Sequence, residues 1–191
     1  YLRASDNYKV MYYDVNCYDT RFEETEGVVL DSWIVDYFIA EDYLTIIEGN
    51  DGLYTLNVID AKENELVGTL DLYDIHRYGN DYNIVGIYED KIYISVSTIE
   101  GVDMLIVDAS SSRLNYDTRQ ITETYYPINA NAEMNDGMIC FLDSNDRGKL
   151  VITAYDITDD TVESYNTNLN NDEWSFFSDP YEIADAKYFK Y

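Results

Sequence analysis

Three groups of residues in this chain are of types that do chemistry. The largest set interleaves aromatic rings with carboxylates and amides in the segments TEGVVLDSW (25–33), YDIHRYGNDY (73–82), TETYYP (122–127) and NTNLNNDEWS (166–175). There Trp33, Tyr73, His76, Arg77, Tyr78, Tyr82, Tyr125, Tyr126 and Trp174 offer flat faces for sugar C–H groups, with oxygens nearby to hydrogen-bond hydroxyls. The same residue types are the usual anchors of a protein interface. Tyrosine is also this chain's general strand residue, numbering 21, so part of the set is expected to be structural. His76 is the single histidine, a residue type suited to act as a proton-transfer base, although a lone loop histidine is more commonly a solvated surface residue.

Two smaller groups consist of acids. Asp36, Glu133 and Asp185 fall in segments read as first strands of repeating units, where paired carboxylates could serve a glycosidase. Their places in the units do not correspond, which argues against convergence. The stretch DSNDRG offers Asp143, Asn145 and Asp146 ahead of a glycine, like half of a calcium loop. No bidentate Glu completes it, and a hairpin turn explains it better; Asp159 and Asp160 in TDDTVE are similarly ambiguous. No cofactor or metal is therefore expected, with calcium as the one alternative the sequence offers. No nucleophile elbow, P-loop, HExxH or Ser/His/Asp pattern is present.

The elements that must hold these residues are strands. LNVIDAKENELV, MLIVDASSSRLN and ITAYDITDDTVE each read as strand, Asp, a short gap, then an apolar residue opening another strand. Their Asp residues are Asp60, Asp108 and Asp156, each 48 residues after the last, and Leu66, Leu114 and Val162 keep the same spacing. A looser copy, MYYDVNCYDTRFEE, carries Asp14. A second hairpin precedes each Asp, with turns at Glu41-Asp42, Glu89-Asp90 and Asn135-Asp136, residue types whose side chains bond nearby backbone. Strands are therefore predicted at 34–40, 43–48, 53–59 and 65–72, and at 84–88, 91–98, 103–108 and 114–121. Four short strands per period of 40 to 50 residues is the pattern of a β-propeller blade.

The expected fold is all-β, a propeller with a period of about 48 residues and four blades' worth in this chain. Blade-like units are placed near 1–30, 33–74, 82–122 and 127–168, with a partial blade at 175–191. A sandwich that merely looks repetitive is the competing all-β reading. Both a closed four-bladed ring and a segment of a larger one fit the count. The segment is favoured, with further blades or domains in a longer parent chain. The opening YLRASDNYKV has no Met, basic region or apolar stretch, so either a leader was removed or the sequence is a piece of something longer.

Composition removes several partner classes. The 191 residues are 46% hydrophobic and 15% aromatic, enough for a core and too apolar for an acidic disordered tail. A net charge of −26 repels nucleic acid and anionic lipid, and no apolar run reaches the ~20 residues of a membrane helix. Cys17 and Cys140 lack metal spacing; Cys140, within GMICFL, reads as a buried thiol, and a disulfide between the two is compatible with an exported protein without following from spacing.

The segments GLYTLNVIDAKENELVGTLDL (52–72) and GVDMLIVDASSSRL (101–114) resemble the LVIVD-type propeller repeats and related secreted bacterial β-propeller domains, although the Pro after the Asp turn is missing. They are also similar to quinone-type propeller repeats. That pattern's turn Gly and blade Trp are absent, so a quinone is not expected. The first resemblance implies an extracellular or cell-surface location and a binding role. The sequence reading is thus a non-catalytic module for a protein or neutral carbohydrate ligand, with a propeller-type glycoside hydrolase as the alternative.

Overall fold

The computed structural model describes residues 3–4, 10–11, 13–15, 22–24, 33–40, 42–50, 52–63, 65–76, 79, 81–122, 132–144, 147 and 149–170. It is an all-β chain with three four-stranded antiparallel sheets. Two short hairpins come first, β1 (Arg3–Ala4) with β2 (Val10–Met11), and β3 (Tyr13–Val15) with β4 (Phe22–Glu24), the latter pairing Asp14 with Glu23. The first full sheet follows in the order β5 (Trp33–Ile39), β6 (Tyr43–Asn50), β7 (Leu53–Asp60), β8 (Glu65–Asp71), and a single helical turn, α1 (Leu72–Ile75), ends it. The second sheet comprises β9 (Asp81–Tyr88), β10 (Lys91–Thr98), β11 (Gly101–Asp108) and β12 (Tyr116–Thr122). The third comprises β13 (Ala132–Asn135), β14 (Met138–Ser144), β15 (Lys149–Asp156) and β16 (Thr161–Asn170). Each sheet keeps its strands in chain order, so each is a meander of hairpins.

The turns form where the sequence chemistry favours them. Glu89 and Asp90 both take positive φ, 47° and 58°, as do Asp136 and Gly137, 48° and 77°. Two consecutive left-handed residues make the type I′ hairpin that matches strand twist, and short polar residues or glycine tolerate it best. The third of these turns therefore lies one residue later than the expected Asn135-Asp136, because Asn135 pairs with Met138. The recurring aspartates close the other hairpins. Asp60 Oδ1 accepts from Lys62 N and Glu63 N at 2.8 and 2.9 Å. Asp108 Oδ1 accepts from Ser110 N at 3.0 Å, and Asp156 Oδ1 from Thr158 N and Asp159 N at 2.8 and 3.1 Å. At Asp60 these donors hold the carboxyl below its ordinary range, because they favour its charged form.

The middle copy departs from its neighbours. Asp60 pairs with Glu65 and Asp156 with Thr161, whereas Asp108 N donates to Asn115 O across a longer loop, so β12 begins at Tyr116 rather than the expected 114. Leu114 belongs to that loop, at φ 47° and buried, while Leu66 and Val162 lie in strands.

The chain divides into two compact units, residues 1–77 with 108–115, and residues 78–107 with 116–191. In the first, Leu44, Ile46 and Ile47 on β6 and Leu56, Val58 and Ile59 on β7 are fully buried, so both faces of the central strands are covered. In the second, the β9–β12 and β13–β16 sheets stack with β9 beside β13 and β12 beside β15. Val85, Tyr93, Val102, Met104 and Ile121 meet Ile139, Phe141 and Tyr155 between them, the apolar burial that drives such packing. At its edge Tyr155 OH donates to Asp160 Oδ1 at 3.1 Å, and Arg119 donates to the Asp160 carbonyl at 3.0 Å. Burial first, then this carboxylate, pushes Tyr155 up to about 12. Among the described residues no helix is long and apolar enough to cross a membrane.

Candidate functional site

The predicted aromatic face is described in part. In YDIHRYGNDY the chain leaves β8 through α1, where Asp71 caps the turn by accepting from Tyr73 N at 2.9 Å and His76 N donates to Leu72 O. Leu72 plugs into the core of the first unit, which turns Tyr73 outward, while His76 is half-buried at the end of the turn. Tyr82 is not a loop residue: it is the second residue of β9 and 1% exposed. The strand starts earlier than its apolar alternation suggested, so this ring belongs to the core and presents no face to a ligand. Trp33 opens β5 and pairs with Gly49, but its side chain lies outside the described residues. Arg77, Tyr78, Tyr125, Tyr126 and Trp174 also lie outside them.

The candidate acids have separate surroundings. Asp36, half-buried on β5 in the first unit, accepts from Tyr37 N at 2.8 Å. Glu133 is exposed on β13 in the second unit, across the pair from Cys140. Asp185, Asn145 and Asp146 lie outside the described residues, and Asp143 is placed on β14 by its backbone. Among the described residues no three His, Cys, Asp or Glu side chains gather as metal ligands. Asp159 and Asp160 are exposed in the β15–β16 turn, Asp160 bonded as above. Cys140 is a free thiol, half-buried rather than buried, because only one face of β14 is fully covered. Burial and then Glu133 raise its pKa.

Two features of the first unit escaped the sequence reading. On β5, the edge strand of its sheet, Val35, Tyr37 (52% exposed) and Ile39 (53%) stand open to solvent. Val35 occupies a bulge, and the cross-strand pairs of Tyr37 with Ile46 and Ile39 with Leu44 put the latter two side chains on one face. The segment WIVDYFI is apolar in both phases, so alternation alone does not reveal which side is open. The second feature is a polar row across three strands. Asn57 Nδ2 donates to Glu48 Oε1 at 2.9 Å, and Thr69 Oγ1 donates to Asn57 Oδ1 at 3.0 Å. Glu48 is 7% exposed, the one buried carboxylate among the described residues.

This arrangement can stack and bury a ligand's apolar surface against β5 while a fixed scaffold holds its shape. The periodic carboxylates are occupied by their own turns. No protein-family model matches the chain, and no curated protein is significantly similar to it.

Proposed function

We propose that this chain is a β-propeller, or a segment of one, built from four-stranded blades with a period of about 48 residues, and that it acts as a non-catalytic binding module at the cell surface or outside the cell. Support for the fold reading comes from the three meander sheets and from the second unit, where two sheets stack with their first strands side by side and the fourth strand of one beside the third of the other. The kinship with LVIVD-type repeats rests on the residues quoted for it.

The observation that carries the functional reading is the exposed stripe Val35, Tyr37 and Ile39, with Tyr73 held outward in the same unit. Apolar and aromatic groups left open on a rigid sheet mark a contact surface. The net charge of −26 directs the choice toward a neutral carbohydrate or a protein and away from polyanions. The test is a panel of neutral glycans and candidate surface proteins, read by binding and by hydrolysis. The expected result is saturable binding without turnover, weakened about tenfold or more by Tyr37→Ala, as for a hot-spot aromatic. Turnover of a glycoside that Asp36→Asn or Glu133→Gln abolishes would overturn it in favour of a glycosidase.

A further inference from the structure

The loop that closes the β11–β12 hairpin, residues 108–115, packs as part of the first unit, although both strands it joins belong to the second. Its length sets it apart from its counterparts. Asp60 pairs with Glu65 and Asp156 with Thr161, each five residues on, whereas Asp108 N donates at 2.8 Å to Asn115 O, seven residues on. The apolar residue stands six places after the Asp in all three copies, so residues that lie in a strand elsewhere are drawn here into the loop. Leu114 is the residue the longer loop delivers. It is 1% exposed at φ 47°, while its counterpart Leu66 is 48% exposed within β8 and Val162 is half-buried within β16. A bulky side chain at positive φ persists where its surroundings over-determine it.

The surroundings of Leu114 are equally particular. A Cβ on Gly68, in β8, would stand 2.9 Å from Leu114 Cγ and 2.9 Å from Ser112 O. The residues 48 and 96 places after Gly68 are Tyr116 and Ser164, so among these three copies the glycine occurs only where the leucine docks. Glycine within a strand weakens it and marks a close approach, and here what approaches is the loop. The loop is also internally braced. Ser111 O accepts from Leu114 N at 2.8 Å, and Asp108 Oδ1 accepts from Ser110 N and Oγ at 3.0 and 2.6 Å. Ala109, at its other end, is 1% exposed. Leu114 is thus a knob on a fixed frame, and Gly68 is its hole.

We infer that residues 108–115 are a strap that fastens the β11–β12 hairpin into the first unit through the docking of Leu114 on Gly68, so that loosening of β8 and loosening of β12 are coupled. Both strands are stems of candidate ligand segments: β8 leads from Gly68 to Tyr73 in five residues, and β12 begins two residues after Leu114 and ends at Thr122, where TETYYP starts. The strap holds the two stems in step whether or not those segments bind a ligand.

The test is amide hydrogen exchange of the full chain, read by NMR. Leu114→Gly is the deciding variant, because glycine adopts positive φ without strain. If Leu114 only closed a turn, that change would slow local opening or leave it unaltered. The strap requires the reverse: the Asp108 amide and the amides of the β8 and β12 ladders exchange about tenfold faster or more, as expected when a contact between coupled elements is lost. Gly68→Ala drives the strap off from the other side and is expected to speed the same amides; it also decides the matter if Leu114→Gly does not fold. The two substitutions together are expected to do no more than the larger of them, because they break one contact. Amides of β9 serve as the reference, and equal acceleration there, as in general destabilisation, overturns the proposal. Slower or unchanged exchange in Leu114→Gly overturns it in favour of a simple turn. Acceleration confined to the loop, or to one of the two strands, overturns it because the coupling is then absent, and so do effects of the two substitutions that add.

Discussion

Tyr155→Phe should make the protein less stable near neutral pH and more stable than the parent at high pH. Tyr155 is 3% exposed, donates to Asp160 Oδ1 at 3.1 Å and has its pKa raised to about 12 by burial and that carboxylate. In the unfolded chain a tyrosine ionises near ~10. A raised folded pKa favours the native state fully below the unfolded value, and this contribution is lost as pH climbs from there through the folded value. At pH 8 the variant lacks a hydrogen bond to an exposed partner, a cost of about 0.5–1.5 kcal/mol. By pH ~11 the unfolded parent gains roughly 1.4 kcal/mol from ionising Tyr155 while the folded one gains almost nothing. The two stability curves should therefore cross between pH ~10 and ~11. Urea unfolding of both proteins between pH 8 and 11.5, followed by circular dichroism, measures the difference with the other tyrosines cancelling. A gap that stays constant across that range would refute the assigned burial and bonding of Tyr155.

Gly86→Val should cost about 1–3 kcal/mol through overpacking against Met134, whose Sδ is 3.1 Å from the would-be Cβ; an unchanged urea midpoint would count against that contact, and Met134→Ala should restore part of the loss. Asn57→Leu takes a donor from the Glu48 carboxylate and should destabilise by about 1–3 kcal/mol, with Glu48→Leu added to it recovering some of the loss, measured in a double-mutant cycle. Asp156→Ala should lower stability by about 0.5–2 kcal/mol, the cost of losing a side-chain cap on backbone donors, and Asp156→Asn by less. The Asp60 carboxyl, held low by Glu63 N and then Lys62 N, stabilises the fold above its unfolded pKa, and this is lost as pH falls through the lower folded value. An NMR titration of Asp60 that gives an ordinary aspartate pKa would contradict its turn bonding.

Strand order and turns were legible because their signals are local. An Asp two or three residues ahead of the amides it bonds, or a Glu-Asp pair between alternating segments, decides its own geometry. Burial was legible less often, because it depends on partners distant in sequence. Tyr82 looked like a loop aromatic since Gly79 and Asp81 precede it, yet the β9–β10 ladder reaches Asp81 and draws the ring inside. Nothing in YLTIIEGN marks Glu48 as buried, and its hydrogen bond from Asn57 becomes visible once β6 and β7 are set in register. The open side of β5 was hidden by a segment apolar in both phases. The candidate site was read less well than the fold for the same reason: surface and core aromatics share one vocabulary in a tyrosine-rich chain.

Where function can lie follows from what the repeat consumes. Asp60, Asp108 and Asp156 recur every 48 residues, and each holds the backbone of its own turn. A residue fixed in that way cannot reorient toward a ligand without opening its hairpin. Under the proposed binding role, ligand recognition then comes from positions where the copies differ. The first unit supplies such a position: LYDI at 72–75 winds one helical turn after β8, while 48 residues on the sequence reads QITE and β12 runs extended through Thr122. That insertion of curvature anchors Leu72 inside and sets Tyr73 outside. Tyr73→Ala should accordingly leave stability within about 0.5 kcal/mol, as for an exposed side chain, while weakening ligand binding. If the substitution instead lowers the unfolding midpoint strongly and leaves binding intact, α1 is a core clasp and the recognition surface is confined to β5.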